Sequence, residues 1–154
     1  MTADDRNFIL STWLKACRTS LASKRVPNDF YYKYQQKIIE RIWARPTSKT
    51  VLLVDSEDSN VILGYLCLER PNKEDFPETI IHFAYVKASF QGEGLFKTLL
   101  KSENIDLSQE LVFTHYTLES AFLKEKHREA PSPYVTAEVI KQKYPQLVYC
   151  PYMV

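Results

Sequence analysis

The stretch that decides the fold is "YVKASFQGEGLFKTLL", residues 85–100. The chain contains three glycines, and two of them, Gly92 and Gly94, lie here, directly before an apolar helical pattern. Glycine adopts backbone conformations that other residues avoid, so the pair indicates a tight turn between a strand and a helix. The first turn of a helix carries N–H groups that point outward at the positive end of the helix dipole. The turn is therefore a candidate cradle for a phosphate or pyrophosphate, with a plain strand-to-helix turn as the alternative.

Upstream of this turn, the pattern predicts two helices followed by three strands. The helices are predicted over residues 6–22 and 29–44, with Asp4 or Asp5 capping the first and Asn28 capping the second. The strands are predicted over residues 50–55, 61–69 and 79–86, and the turn cluster "SEDSN" between the first two predicts a hairpin. The third strand is apolar on both faces, which predicts a central position. On the inner side of the second helix we expect Tyr31, Tyr34, Ile38 and Ile42.

Downstream, a helix over residues 95–102 is followed by a strand over 110–117. A helix that connects two strands in this way predicts a crossover, with strands 79–86 and 110–117 as parallel neighbours. Two more helices are predicted, at "LESAFLKEKH" and over 135–144, and "LVYCPYMV" closes the chain as a strand. The sequence thus predicts a single α/β (α+β) domain over residues 1–154.

Charge and cysteine content limit the classes of function. The net charge is +1, from 20 basic and 19 acidic residues, which gives no overall electrostatic argument for nucleic acid or an anionic membrane. No apolar stretch approaches the roughly 20 residues that span a bilayer, and no secretory signal pattern is present. Cys17, Cys67 and Cys150 form neither a metal-ligand spacing nor an even set, so we expect no metal site and a reduced, cytoplasmic protein.

The glycine turn fits neither common nucleotide motif. A Walker A loop has four residues between its glycines and ends in Gly-Lys-Ser/Thr, and neither feature is present. The Rossmann fingerprint is not completed either, because Lys97 stands where its last glycine would be.

The segment "VKASFQGEGLFKTLL" instead resembles the acetyl-CoA-binding signature of the GCN5-related N-acetyltransferase (GNAT) superfamily. In the resemblance, Val86 ends the strand, Gln91 takes the Arg/Gln place, and Gly94 is the central glycine. The pair Gly64-Tyr65 resembles the Gly-aromatic pair of the family's preceding strand, and the order of elements over roughly residues 6–126 is the family's order. Some small members of this kind are encoded by bacteriophages, and this chain is similar to them in its long first helix.

The resemblance implies a GNAT fold, with a mixed central sheet, two N-terminal helices and a splayed pair of parallel strands. It implies acetyl-CoA (coenzyme A) as cofactor, with the thioester in the gap between the splayed strands. The implied cofactor-binding residues follow the signature strand into the helix: Tyr85, Val86, Gln91, Gly92, Glu93, Gly94, Leu95 and Phe96.

The chain also departs from the family pattern. Phe96 stands where Gly or Ala is usual, which would crowd the phosphates. The family's general-acid Tyr is replaced by Glu125 at the usual spacing, and the C-terminal hairpin of the family is not evident after residue 127.

Four residues are candidates for catalysis. His82 lies on the signature strand, where strand alternation groups it with Ala84 and Val86 and places Ile81, Phe83 and Tyr85 on the opposite face. A histidine titrates in the range that a general base needs, and a hydrogen-bonded core histidine is the alternative. The other candidates end the next strand or follow it, close to the implied gap: His115, Tyr116 and Ser120.

The leading prediction is an N-acetyltransferase that passes acetyl from acetyl-CoA directly to an amine acceptor in a ternary complex. One alternative is a GNAT-fold binding module without catalysis, favoured by Phe96 and the missing Tyr. Another is a phage enzyme that modifies nucleobases, which would need a basic groove built from Lys24, Arg25, Arg41 and Arg45. Aromatic residues at the start of the second helix could line the acceptor pocket. No membrane partner is expected, and the chain is expected to be a monomer or a homodimer paired through its last strand.

Overall fold

The computed structural model describes residues 1–18, 23, 25–72, 79–106, 108–109, 111–115 and 147–150. Within them lie three α-helices, one 3₁₀ turn and five strands, in an order that confirms the prediction up to the fourth strand. The elements are α1 (Ala3–Arg18), α2 (Asn28–Trp43), β1 (Ser48–Val54), β2 (Ile62–Glu69), β3 (Ile80–Val86), a 3₁₀ turn (Ala88–Phe90), α3 (Leu95–Ser102), β4 (Leu111–Phe113) and β5 (Leu147–Tyr149). The two helices predicted between β4 and β5 lie outside the described residues.

The five strands form one mixed sheet in the order β1-β2-β3-β4-β5. The first three pair antiparallel, which confirms the predicted hairpin and the central position of β3. β3 and β4 pair parallel through Ile80↔Val112 and Ile81↔Phe113, and α3 connects them as the predicted crossover helix. β5 pairs parallel with β4 at the far edge. The chain therefore has the mixed α+β architecture predicted from its sequence.

Each face of the sheet packs against helices of a different kind. One face carries an aromatic-rich cluster shared with α1 and α2, in which Trp13 stacks on Phe83 with ring centroids 4.9 Å apart. The other face carries an aliphatic cluster shared with α3, centred on Leu66, Leu68 and Leu99. Full burial of a side chain of this size stabilises a fold by about 1.5–3 kcal/mol, so both clusters hold the helices firmly on the sheet.

The strand register corrects the predicted faces of β3. Cys67 pairs with Phe83 and Leu68 pairs with Ile81, so β3 has one extra residue, His82, at this point. A β-bulge of this kind interrupts alternation locally. Ile81 consequently belongs to the aliphatic cluster while Phe83 belongs to the aromatic one, so the prediction that they share a face was wrong.

The start of α1 also differs from the prediction. The helix begins at Ala3, and neither Asp4 nor Asp5 is its cap. Thr2 holds that position instead: its N–H donates to Asp5 Oδ2 at 2.6 Å, and its Oγ1 accepts from the Asp5 N–H at 3.2 Å. This reciprocal pair is a capping box, which a sequence pattern one turn earlier would have revealed.

The start and inner face of α2 need two corrections. Asn28 is the first helical residue rather than the cap, and its Oδ1 accepts a hydrogen bond from Arg18 at 2.7 Å. Tyr31 and Ile42 are buried as predicted, and Ile38 packs against the core, but Tyr34 is 60% exposed. The stripe is completed instead by Ile39, which is fully buried.

Candidate functional site

The glycine turn is built from backbone conformations that only glycine adopts easily. Gly92 has φ +99° and Gly94 has φ +80°, both in the left-handed region. The preceding 3₁₀ turn reverses the chain after β3, and the Gln91 side chain ties the turn to the strand by donating Nε2–H to the Val86 carbonyl at 2.9 Å. The sequence prediction of a tight strand-to-helix turn is therefore confirmed.

The first turn of α3 contains no side chain that would neutralise the positive end of the helix dipole. Gly94 occupies the cap position and provides no side-chain hydrogen bond, and the first helical turn contains no acidic residue. The first helical bond runs from the Thr98 N–H to the Gly94 carbonyl at 3.1 Å, so the earlier amides point out of the helix end. The positive end of this helix dipole is thus directed outward, next to the exposed Glu93.

Phe96 does not fill the space in front of this helix end. It is only partly exposed and packs against the aliphatic cluster beneath α3. Leu99 and Leu100 are buried, whereas Leu95 is only partly so. The Phe96 ring, expected to crowd the phosphates, therefore packs against the core instead.

The peptide groups at the end of β3 alternate between two directions. The Lys87 N–H donates to the Leu63 carbonyl of the chain segment entering β2 at 2.8 Å. By ladder alternation, the peptide groups of Tyr85 face β2, whereas those of Ala84 and Val86 face the side on which β4 lies. The described β3–β4 ladder ends at Ile81↔Phe113, so Ala84 and Val86 extend beyond it.

The third glycine, Gly64, lies opposite this end of β3 and pairs with Val86. A Cβ at this position would lie 2.7 Å from the Tyr85 carbonyl oxygen, too close for any larger residue without backbone movement. Each glycine of the chain therefore shapes the same end of β3.

His82 is fully buried at the bulge, and both of its ring nitrogens have protein partners. Nε2 lies 3.0 Å from Glu69 Oε2, and Nδ1 lies 3.0 Å from Thr114 Oγ1. Burial lowers the pKa of His82 and outweighs the neighbouring Glu69 carboxylate, which raises it. His82 is therefore a neutral imidazole at pH 7.

Glu69 ends β2 and is held by three donors. Arg45 reaches Oε2 at 2.8 Å and Thr47 reaches Oε1 at 2.8 Å, in addition to His82. Burial alone would raise the pKa of Glu69, but these hydrogen bonds together lower it below its usual value. The carboxylate is therefore ionised and accepts from all three groups.

His115 follows β4 and continues the same hydrogen-bonded series. Its Nδ1 lies 3.0 Å from Thr114 Oγ1, and its Nε2 lies 3.1 Å from Nε2 of Gln35 on α2. The edge of Trp13 packs against the imidazole with centroids 5.3 Å apart. Burial is the main cause that lowers the pKa of His115 to about 4, and electrostatic repulsion between the His115 and His82 rings acts in the same direction. This ring is therefore also neutral at pH 7.

The structure thus brings His82 and His115 together through Thr114, and His82 lies four positions before Val86, after which the chain enters the glycine turn. Tyr116 and Ser120 lie outside the described residues, as do Glu125 and His127. Sequence reasoning missed Glu69, Thr114 and Gln35. Glu69 carried a signal, since it is a carboxylate ending an otherwise apolar strand, but only the bulge places it against His82.

The aromatic run at the start of α2 is divided between core and surface. Tyr31 is buried and donates its hydroxyl to the Leu14 carbonyl at 2.9 Å. Phe30 and Tyr34 are 64% and 60% exposed and stack on each other, with centroids 6.1 Å apart and planes within 6°. Of the basic groove residues, Arg45 is engaged with Glu69, and Lys24 lies outside the described residues.

A polar cavity of about 520 Å³ lies at the other end of α3. Both of its cations bind the buried carboxylate of Glu103: Lys49 at 2.8 Å and Arg70 at 3.3 Å. The cavity is lined by Lys49, Arg70, Thr79, Ser102, Glu103 and Asn104. It is separated from the glycine turn by the whole helix.

Comparisons with known proteins find a likeness among solved structures and none among sequences. No protein-family model matches the sequence, and no curated protein matches it. Among solved structures, the chain is similar to AAC(6')-Iy in complex with the bisubstrate analogue CoA-S-monomethyl-acetylneamine, with 12% sequence identity over 86% of this chain and 81% of that one. The TM-score is 0.36, and a likeness this weak adds no weight to the geometry of the site. Among the described helices, none has the length and apolar character needed to cross a membrane.

Proposed function

We propose that this protein is an acyl-CoA-dependent N-acyltransferase that moves acetyl from acetyl-CoA to an amine. The main support is the start of α3. Gly94 has a left-handed backbone conformation there, no side chain caps the helix, and its first turn holds no acidic residue, so the positive helix end is directed outward. Coenzyme A carries a pyrophosphate, which suits such an end. The amides of the turn from Gly92 to Leu95 would bind it, with Gly92 and Gly94 allowing close approach.

The end of β3 supports the same proposal. Ala84 and Val86 direct their peptide groups to the side of β4 beyond the last described pair of that ladder. An extended pantetheine arm, which contains two amides, could pair there as an added strand. The arm would then run from the pyrophosphate at the turn toward His115, which follows the last described pair of the β3–β4 ladder.

Direct transfer in a ternary complex agrees with the state of the two buried cysteines, Cys17 and Cys67. A covalent acyl-enzyme would need a thiolate. Burial raises the pKa of Cys17 to about 12 and that of Cys67 to about 11, so neither thiol is ionised near neutral pH. We therefore propose that the amine attacks the thioester itself.

A second candidate, a coenzyme A-binding module without catalysis, is favoured by one observation. Both ring nitrogens of His82 are satisfied inside the protein, so this histidine has no atom left for a substrate. The two candidates share the cofactor site and differ only in turnover.

Calorimetric titration with acetyl-CoA tests the cofactor site, and free-thiol release with a panel of amines tests turnover. Binding in the micromolar range, displaced by desulfo-coenzyme A, supports both candidates. Thiol release that needs both an amine and the enzyme selects the acyltransferase, and binding without release for any amine selects the module. No binding at millimolar acetyl-CoA would refute both.

A further inference from the structure

A continuous series of hydrogen bonds crosses the sheet from β2 to α2. It runs Glu69–His82–Thr114–His115–Gln35, and its four links measure 3.0, 3.0, 3.0 and 3.1 Å. Glu69, His82 and Thr114 are all buried. Because bulk water does not compete at these atoms, the protein alone decides where each proton lies.

The donors and acceptors leave one consistent arrangement of protons. The Glu69 carboxylate can only accept, so His82 donates Nε2–H to it, and the neutral ring then accepts at Nδ1. Thr114 must therefore donate its O–H to His82, which leaves the Thr114 oxygen to accept from His115 Nδ1–H. A neutral His115 then keeps its lone pair on Nε2, where it accepts an N–H of Gln35.

His115 and Gln35, at the outer end of this series, are only partly buried. His115 follows β4, two residues beyond Phe113, with which the described β3–β4 ladder ends. Gln35 is only partly buried, and it lies on α2 next to the exposed Tyr34. A ligand that displaces the Gln35 amide would meet the lone pair of His115 directly.

We propose that Glu69, His82 and Thr114 are positioning residues that hold His115 in its Nδ1–H tautomer, and that His115 Nε2 is the general base of the transfer. The second half rests on the proposed acyltransferase function, whereas the tautomer does not. Gln35 is then the group that the acceptor amine replaces.

The proton and electron pairs balance in this step. The neutral amine attacks the thioester carbonyl, a C–N bond forms, and the C–S bond breaks with its electron pair on sulfur. The amine nitrogen loses one proton to His115 Nε2, and the thiolate gains one from water. The imidazolium then returns its proton to the resulting hydroxide, so the products are the amide and free coenzyme A.

Few charged groups near His115 could alter its protonation. Among the described residues, β3 contributes His82, α2 contributes Gln35, and α1 contributes the uncharged Trp13. The next charges along the series are Glu69 and, bound to it, Arg45. A neutral His115 has its lone pair available throughout the range above pH 5.

Long-range ¹H–¹⁵N NMR of the histidine rings in the full-length protein tests the tautomer. We expect a protonated Nδ1 and an unprotonated Nε2 for His115, and the reverse for His82. Thr114→Val removes the hydroxyl that joins the rings, so His115 should lose its single tautomer, and Thr114→Ser should restore it. A wild-type His115 that is protonated at Nε2, or at both nitrogens, at pH 7 would overturn the proposal.

Kinetics of the same variants test the base. His115→Asn should lower kcat about 100-fold, and Thr114→Val about tenfold, with affinity for acetyl-CoA unchanged and Thr114→Ser close to wild type. The acid limb of the kcat profile should lie below pH 5 in wild type and in Thr114→Val, because burial, the main cause of the lowered pKa of His115, is the same in both. An unchanged kcat in Thr114→Val, despite a changed tautomer, would overturn the assignment of the base. A wild-type protein that binds no acetyl-CoA would instead refute the proposed function and leave the tautomer to be decided by NMR.

Discussion

Two polar regions of this protein use their hydrogen-bonding groups in opposite ways. In the relay from Glu69 to Gln35, both nitrogens of both histidines have partners inside the protein. At the glycine turn, α3 begins without a side-chain cap and without an acidic residue, so its positive end is directed outward. The difference indicates separate roles: the relay fixes the geometry of the side chains that lead to His115, and the turn is arranged to bind an anionic group from outside.

The start of α1 shows that the open helix end is a property of one helix and not of the fold. There Thr2 and Asp5 satisfy each other's amides, and Asp4 and Asp5 supply negative charge to the first turn. A helix end completed in this way has little attraction left for an anion. The two helix starts can therefore be exchanged in character by mutation.

The largest effect is expected in the relay, at Glu69. Glu69→Ala removes the acceptor of Arg45, Thr47 and His82, and leaves a partly buried cation and buried donors without it. The free energy of unfolding should fall by about 3 kcal/mol, measured by urea denaturation. Glu69→Gln is the matched control. Its free energy of unfolding should fall by less, because the amide oxygen of Gln still accepts hydrogen bonds. A loss below about 1 kcal/mol would show that the relay contributes little to the fold.

At the glycine turn, Gly94→Asp places a carboxylate directly before α3, so that the start of α3 resembles the start of α1. Affinity for coenzyme A should fall about 100-fold, or about 2.7 kcal/mol, because the charge repels the pyrophosphate. Gly94→Asn has the same shape and the same tolerance of positive φ, so it should lose only a few-fold. Equal losses in the two variants, measured by calorimetry, would mean that charge at this helix end is irrelevant.

The relay should also make stability depend on pH. The pKa of His115 is about 4 in the folded protein and about 6.5 when unfolded, so between these values the unfolded chain binds more protons. Stability therefore falls as the pH falls, by about 2 kcal/mol from pH 7.5 to pH 5, and the lowered pKa of His82 adds in the same direction. Urea titrations at several pH values check this. His115→Asn should flatten the dependence, and an unchanged slope in that variant would contradict the assignment.

The smallest effect is expected at the start of α1. Thr2→Ala opens the capping box of α1 and should lower the free energy of unfolding by about 1 kcal/mol. The pKa of Asp5, which hydrogen bonds to the Thr2 backbone and side chain hold below its usual value, should rise toward it. Affinity for coenzyme A should stay unchanged, since this helix end holds its own carboxylates. Two-dimensional NMR and calorimetry follow both quantities, and any gain in anion affinity large enough to match α3 would contradict the comparison.

Local patterns were sufficient for the architecture. The crossover was predicted from the glycine pair and the apolar helical pattern that follows it. The order of the first four strands was predicted from the extended runs on either side. These features depend on neighbours within one turn or one strand, and a single sequence records them directly. The same holds for Gly92 and Gly94, whose positive φ values follow from their place between a strand and a helix.

The relay could not be predicted, because it depends on register. Alternation placed His82 with Ala84 and Val86, whereas the bulge turns it toward Glu69 on β2. Whether a strand contains an extra residue is decided by its partner strand, and no pattern within β3 reveals it. Gln35 was missed for a similar reason, since only the packing of α2 on the sheet brings it to His115.

The central claim is that the start of α3 binds the pyrophosphate of coenzyme A. Backbone amide NMR of the ¹⁵N-labelled protein, titrated with coenzyme A, tests it most directly. Binding there should give the largest shifts at the amides from Gly92 to Leu95, with smaller ones at Ala84 and Val86, and should leave the Thr2 and Asp5 amides unmoved. Shifts confined to the polar cavity around Lys49 and Arg70, or no saturable shifts at all, would contradict it.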